Sequence, residues 1–529
     1  MEKKTKESLL NQAKSYTIEE NFSKAIELFE ELESLDKTDP EIKLFLGIVY
    51  LKYDDYLGAI KKINEALLIQ PKVPLANHAI GASLFMLENY SDALFAFDKE
   101  IEINPNYPDA HCDKAYALVE LNEYKKALTE GEKAIELDPN YPDAYNIVSV
   151  AQNHLQNLEL AEFYALHAIK LEPLKENYYL NLSNIHEKKG EKEKAIKYLN
   201  KALSLNPNYR EALFNLGLLL LKKMEYKKAW PLFENRFGIG VKYKKVDNIW
   251  NTRSSGSEKV LIKLEQGIGD QILFGSLFHE LEFIDNCKFY IELDERLHIT
   301  FRRSFSKLNF VKENSLDKNS YTSEYNLGSL GQLFRNNTKD FCRQKIKFLQ
   351  SDPIKTSIIR SKILKKNNNK KSKICGVSWN SKNQKIGKFK NIDLHEFIRI
   401  LNIPDIIFIN LQYESNIDDV VSFSLRNKIE IVSIFDFDLY QDIDSLFSVV
   451  DVCDYVLTIS NVTAHIAGSL GKKTFLLAPF ECGRHWYWHD SIKKSLWYPS
   501  VNIYISKKIS DWTGAIDEVH QDIVSEFNV

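Results

Sequence analysis

A chain of 529 residues is too long for one hydrophobic core and long enough for two to four, and 44% hydrophobic with 27% charged residues argues against a disordered polypeptide. A formal net charge of -3 gives no global attraction to nucleic acid, so no nucleic-acid partner is expected. Six scattered cysteines (Cys112, Cys287, Cys342, Cys375, Cys453, Cys482) form no Cys-x-x-Cys pair, which favours reduced thiols in a cytoplasmic protein over disulfides or a metal site.

The N-terminal MEKKTKESLL is charged, lacks the apolar stretch of a secretory signal and leads into an amphipathic helix. No apolar run reaches membrane-spanning length; LGLLLL (216–221) stops at Lys222 and Lys223. Three series of residues then recur with a period of 34: Ala25, Ala59, Ala93, Ala127, Ala161, Ala195 and Ala229; Gly47, Gly81, Ala115, Ser149, Ser183 and Gly217; and Pro71, Pro105, Pro139, Pro173 and Pro207. Small residues in phase mark the crossing of two packed helices, and the prolines stand where a helix cannot continue. The pattern is that of tetratricopeptide repeats, about seven units over 1–235, forming an α-solenoid whose concave groove is expected to hold a peptide partner. Asn181 and Asn215 share one position of the first helix, with Asp113 at the same place earlier, and can hydrogen-bond an extended backbone there.

A polar junction spans 236–258, with SSGS at 254–257 and Trp250 placed to pin it to a domain surface. The periodicity then changes. VLIKLE (260–265), KFYIEL (288–293), ICGVSW (374–379), IIFINLQ (406–412), EIVSI (430–434), YVLTIS (455–460) and TFLLA (474–478) read as buried parallel strands. They alternate with helical segments, which predicts doubly wound α/β units. LKKNNNKKSK (364–373) divides them into lobes at 259–363 and 374–529, as a solvated hinge.

Three loops carry the chemistry. EQGIGDQILFGSLF (265–278) runs from a strand through Gly267 and Gly269 into a helix, a turn that lets a ligand approach the backbone closely. Ile272 stands where G-x-G-x-x-G needs its third glycine, and no P-loop Gly-Lys pair follows. Asp270 is either a helix cap or a carboxylate in the crevice outside the strand ends, where open α/β sheets bind ligands. TISNVTAHIAGSLGKKTFLLAP (458–479) places Ser460, Asn461 and Thr463 at a helix start, with His465 inside the helix. This is an ordinary cap or an anion site suited to a pyrophosphate. SWNSKNQKIGKFKNIDL (378–394) carries Lys382, Lys385, Lys388 and Lys390, a solvated loop or a counter-charge for a diphosphate. GRHWYWHD (483–490) and SLWYPS (495–500) are aromatic-rich, with core packing as their default role. DFD (436–438) has the spelling of a metal-binding D-x-D but follows a strand as a loop, so no metal is expected.

ENRF at the junction, EQGIGD, the SW…KNIDL segment, INLQYES (409–415), SNVTAHIAGSLGKK and the SLWYP tail occur together and in order. As a set they resemble the bacterial tetratricopeptide-repeat glycosyltransferases related to the heptosyltransferase and O-linked N-acetylglucosamine transferase families, some of which modify flagellin or other proteins. The resemblance implies a GT-B-like pair of Rossmann-like lobes, acceptor in the first and nucleotide sugar in the second. It implies Asp270 as base, Thr463 and Ala464 at a diphosphate-binding helix start, and Lys390 at a basic position that is commonly arginine. Gln266, Gly267, Gly269, Lys382, Ser460, Asn461 and His465 complete the expected nucleotide-sugar contacts. Ser460 departs from the aspartate of many relatives, and Gly275 and Ser276 replace an arginine-containing run. The expected function is inverting, metal-independent sugar transfer from a nucleotide-sugar co-substrate, without a resident cofactor, to a protein recruited by the repeats. The alternatives are transfer to a glycolipid or polysaccharide, and a non-catalytic adaptor with a degenerate transferase-like domain.

Overall fold

The computed structural model describes residues 2–237, 245–246, 249–250, 257–366, 373–383, 386–413, 417–433 and 438–527. Residues 254–256 of SSGS, 367–372 of the polar run, Lys385, Glu414 and Ser415 of INLQYES, Ile434 of EIVSI, and Asp436 and Phe437 of DFD lie outside the described residues. The chain divides into two compact units, Met1–Pro207 and Asn208–Val529.

The first unit is a helical solenoid of six antiparallel pairs, from Glu2–Ile18 with Phe22–Leu35 to Glu176–Lys188 with Lys192–Leu205. The 34-residue series sit where close packing demands. Ala25, Ala59, Ala93, Ala127, Ala161 and Ala195 are all fully buried. A Cβ on Gly47 would lie 2.4 Å from Ile63 Cγ1, and one on Gly81 would lie 2.6 Å from the Phe97 ring. From the second pair on, each second helix of the unit ends two residues before its proline, as Tyr90–Ile103 does before Pro105 and Leu158–Leu171 before Pro173. Asn181 Nδ2 donates to Asn146 Oδ1 at 2.8 Å, and Asn146 Nδ2 to the Tyr116 hydroxyl at 2.9 Å. Of the amides expected to read a partner backbone, Asn181 is thus bonded to Asn146 of the preceding repeat.

The second unit opens with a seventh helix pair, Arg210–Lys222 and Tyr226–Phe233, and continues into two parallel sheets. The first sheet has the order β3-β2-β1-β4, from β1 (Glu258–Lys263), β2 (Cys287–Glu292), β3 (Asn309–Val311) and β4 (Ser323–Asn326). The second has the order β10-β9-β8-β5-β6-β7, from β5 (Lys373–Ser378), β6 (Ile406–Asn410), β7 (Ile431–Val432), β8 (Tyr455–Ile459), β9 (Lys473–Ala478) and β10 (Val501–Ile505). All pairings between these ten strands are parallel. Counted within its own sheet, the second order is the 3-2-1-4-5-6 of a doubly wound fold, and the first is its 3-2-1-4 portion. The order reverses between β1 and β4 in one sheet and between β5 and β8 in the other. Ligand crevices form at those points.

Trp250 does pin the junction. It is 3% exposed, its N–H donates to Glu324 O at 2.8 Å, and its ring meets Phe289 edge-on at 5.2 Å. The seventh helix pair is locked down by Trp230, whose Nε1 donates to Arg335 O at 2.6 Å and whose ring lies edge-on to Trp486 at 5.6 Å. A Cβ on Gly331 would stand 2.3 Å from that ring. Because the indole is held at both edges, Gly331→Ala is expected to destabilise the second unit by about 1–3 kcal/mol. Chemical denaturation tests this, and an unchanged midpoint would mean that the indole has room to turn.

Candidate functional site

The site is built from the two strand-order reversals. β1 is followed by Leu264 and Glu265, and Gln266 then takes a left-handed conformation (φ 65°), which non-glycine residues adopt rarely and mostly in constrained turns. Gly267 caps the helix Ile268–Gly275, in whose first turn Asp270 lies, half-buried. A Cβ on Gly269 would come within 2.9 Å of His465 Cδ2, so glycine is what lets the Ile268 helix close onto the helix Val462–Ser469 of the other lobe.

The Asp270 carboxyl is pushed up to about 6, chiefly by desolvation, with Glu265 adding to the rise; the Gly267 backbone and the Lys390 charge oppose it. Lys390 is 3% exposed and is pushed down to about 8 by desolvation, against the pull of Asp270. Each charge partly sustains the other in a site that penalises both. Two rings face the same space: burial depresses both His465 and His485 to about 3, with Lys390 acting in the same direction on each. His465 Nδ1 meets the Tyr498 hydroxyl at 2.9 Å and its Nε2 the Tyr487 hydroxyl at 3.4 Å. Both phenols are driven upward by burial and by Asp270, so they remain neutral hydrogen-bonding groups.

The loop after β8 is more structural than its sequence suggests. Ser460 Oγ accepts from Trp488 Nε1 at 3.0 Å. Asn461 caps the Val462 helix, with its Oδ1 accepting from Ala464 N at 3.4 Å, and its Nδ2 donates to Ser378 Oγ at 3.1 Å and Asn380 O at 3.2 Å. The Ala464 amide is therefore engaged in the cap. Thr463 differs: it is fully buried and its Oγ1 has no hydrogen-bond partner among the described residues. A buried hydroxyl without a partner is costly unless something else satisfies it. Of the described lysines in the loop after β5, Lys382, Lys388 and Lys390, only Lys390 turns inward. Lys382 and Lys388 are exposed; Lys382 lies 5.7 Å from the Tyr440 ring centre and Lys388 lies 5.0 Å from that of Phe389.

Beside this cluster, at the ends of β5 and β6, opens a cleft of about 790 Å³ bordered by Trp379, Asn380, Lys382, Gln412, Tyr413 and Arg426. Asp270 is not part of its wall; the link is Asn380, which borders the cleft and accepts from Asn461. Sequence reasoning missed His485, Tyr487 and Tyr498 as site residues. The only signal was the aromatic density of GRHWYWHD and SLWYPS, which core packing explains equally well. The turn at Gly483 (φ 79°) brings that loop against Phe389, one residue from Lys390. His489 then anchors the loop: its Nδ1 donates to Lys222 O at 3.2 Å, which leaves Nε2 to accept from the Tyr226 hydroxyl at 2.9 Å.

Family models for the tetratricopeptide repeat match residues 96–129 and 176–209. The helix pairs of the first unit carry the same 34-residue period through and beyond these two stretches. Protein FlbA of Caulobacter vibrioides is 22% identical over 313 residues, covering 55% of this chain; the chain spans about half (51%) of that relative's length. Among solved structures, a tetratricopeptide repeat protein from Parabacteroides merdae is 15% identical, covering 44% of this chain and 91% of that one, with a TM-score of 0.38. YrrB, described as a tetratricopeptide protein with an unusual peptide-binding site, is 21% identical, covering 36% of this chain and 98% of that one, with a TM-score of 0.30. Among the described residues no helix is long and apolar enough to cross a membrane, and no three His, Cys, Asp or Glu side chains are grouped as a metal site requires.

Proposed function

We propose that the second unit is a glycosyltransferase that moves a sugar from a nucleotide-sugar donor to a hydroxyl of a protein brought by the repeats. The observation that carries this reading is that Asp270 and Lys390, both desolvated, act on each other electrostatically where the two strand orders reverse, with the Ile268 helix packed against the helix that carries Thr463 and its unsatisfied hydroxyl. Asp270 takes the proton of the acceptor hydroxyl while that oxygen attacks the anomeric carbon. The bond from that carbon to the diphosphate oxygen breaks on the opposite face, and its electron pair leaves with the diphosphate. Lys390, the Thr463 hydroxyl and the positive end of the Val462 helix offset the departing charge. The polar and aromatic cleft after β5 and β6 suits a nucleoside in size and chemistry. In the first unit, a hollow of about 380 Å³ between Leu51, Ala82, Phe85, Met86, Asp113 and Tyr116 suits a partner side chain.

Thermal melting of the full chain with a panel of nucleoside diphosphates tests the reading. A diphosphate at a hundred times its dissociation constant should add about 2.7 kcal/mol of stability. A rise with one nucleotide, lost in Thr463→Val and Lys390→Met, is the expected result. No rise with any nucleotide would overturn the transferase reading and leave the repeats as an adaptor.

A further inference from the structure

The basic run between the lobes has no part in sugar transfer, and the helix leading into it is unusual. From 353 to 373 the chain carries Lys355, Arg360, Lys362, Lys365, Lys366, Lys370, Lys371 and Lys373 without one Asp or Glu, in a protein whose net charge is -3. We propose that the outward face of the helix Pro353–Lys366 docks on an anionic lipid surface, with Ile354 and Ile358 entering the headgroup boundary and its lysines facing the lipid phosphates.

The inward side of this helix is fully accounted for. Ile359 and Ile363, 2% and 4% exposed, hold it to the second lobe, where it packs against the helix Ile443–Val452. Lys355 Nζ reaches Asp444 Oδ2 at 3.1 Å and Ser445 Oγ at 3.3 Å, and Arg360 Nη1 donates to Val452 O at 3.1 Å. Asp352 caps the start through the amides of Ile354 and Lys355, at 2.9 and 3.0 Å. The outward side combines aliphatic and basic side chains on one face. Ile354 is 71% exposed and Ile358 52%, one helical turn apart, with Lys362 and Lys365 exposed along the same face.

Cations alone would suit any polyanion, and the isoleucines decide between them. Against a nucleic-acid backbone, two aliphatic side chains gain nothing, and this helix has no aromatic residue on which a base could stack. At a bilayer both features act together: the apolar pair is removed from water and the cations sit in the negative surface potential. The inference is independent of the sugar-transfer reading, because it uses neither lobe crevice.

The test is co-sedimentation of the full chain with sucrose-loaded vesicles, of phosphatidylcholine alone or with about one third phosphatidylglycerol, at about 0.1 M salt. Partitioning should rise on the order of tenfold with the anionic lipid. It should fall by a similar factor in Ile354→Asp/Ile358→Asp and by less in Lys365→Glu, with unchanged melting since these three side chains are exposed. Equal partitioning to both vesicles overturns the proposal. So does retention of vesicle binding by the isoleucine variant, or binding of single-stranded DNA that this variant leaves intact, because either makes the face a generic polyanion site. The nucleotide-induced rise in melting temperature should be the same in all variants, so failure here is separable from failure of the transferase reading.

Discussion

Asp270→Asn is expected to lower turnover of the nucleotide sugar at least about a hundredfold, the scale for losing a general base. The change keeps shape and removes only the basic oxygen, so the melting-temperature rise with nucleoside diphosphate should persist. Near-normal turnover in this variant would rule out the role assigned to Asp270. The pH profile supplies a second check with a defined sign. The base must be ionised, so kcat/KM should climb as pH rises through about 6, where burial has moved the Asp270 carboxyl. The counter-charge must be protonated, so kcat/KM should fall as pH rises through about 8, where burial has moved Lys390. Lys390→Arg should remove the falling limb and keep the rising one, because guanidinium does not deprotonate in this range. A bound diphosphate stabilises the ammonium form, so the falling limb of kcat should lie at higher pH than that of kcat/KM.

The parts of this molecule differ in how plainly the sequence announces them, and the difference is physical. A repeat whose helices cross at Ala59 or Gly81 permits no larger side chain, so packing is written into the sequence at a fixed interval. Strands buried on both faces, such as β5, β8 and β9, are equally plain because burial demands an unbroken apolar run. The strands missed are those whose environment asks less of them. Asn309–Val311 is three residues long, Ser323–Asn326 is mostly polar, and Val501–Ile505 is broken by Asn502 and partly exposed at Asn502 and Ile505. Asp270 and Lys390 stand out in the sequence because each follows a strand at a loop with recognisable neighbours. His485 and Tyr498 escaped because they reach the site by a turn at Gly483 and by a hydrogen bond to His465, and neither leaves a spacing to read. Ser460 shows the reverse error of emphasis: its hydroxyl looked available and is taken up by Trp488.

Arg236→Met is expected to be the most destabilising single change in the second unit, by about 3–5 kcal/mol, the range for stranding one partner of a buried ion pair. Arg236 is 1% exposed, and its Nε and Nη2 each donate to Glu265 at 2.8 Å, with Ser329 and Glu234 completing its fork. Glu265 also accepts from the Gly328 amide. The bidentate geometry recovers much of the cost of desolvating both charges, and methionine leaves the carboxylate with one amide donor in a site closed to water. Glu265 is the last residue before the left-handed turn at Gln266, so the pair ties the end of the seventh helix pair to the turn that presents Asp270. Activity should therefore fall in Arg236→Met even at temperatures where the fold survives. The double variant Arg236→Met/Glu265→Gln removes the stranded charge and should regain more than half of the lost stability, measured by denaturant midpoint. If the double variant is no more stable than Arg236→Met alone, the cost lies in lost packing around the guanidinium, which also stacks on Phe237 at 4.1 Å, rather than in the carboxylate left behind.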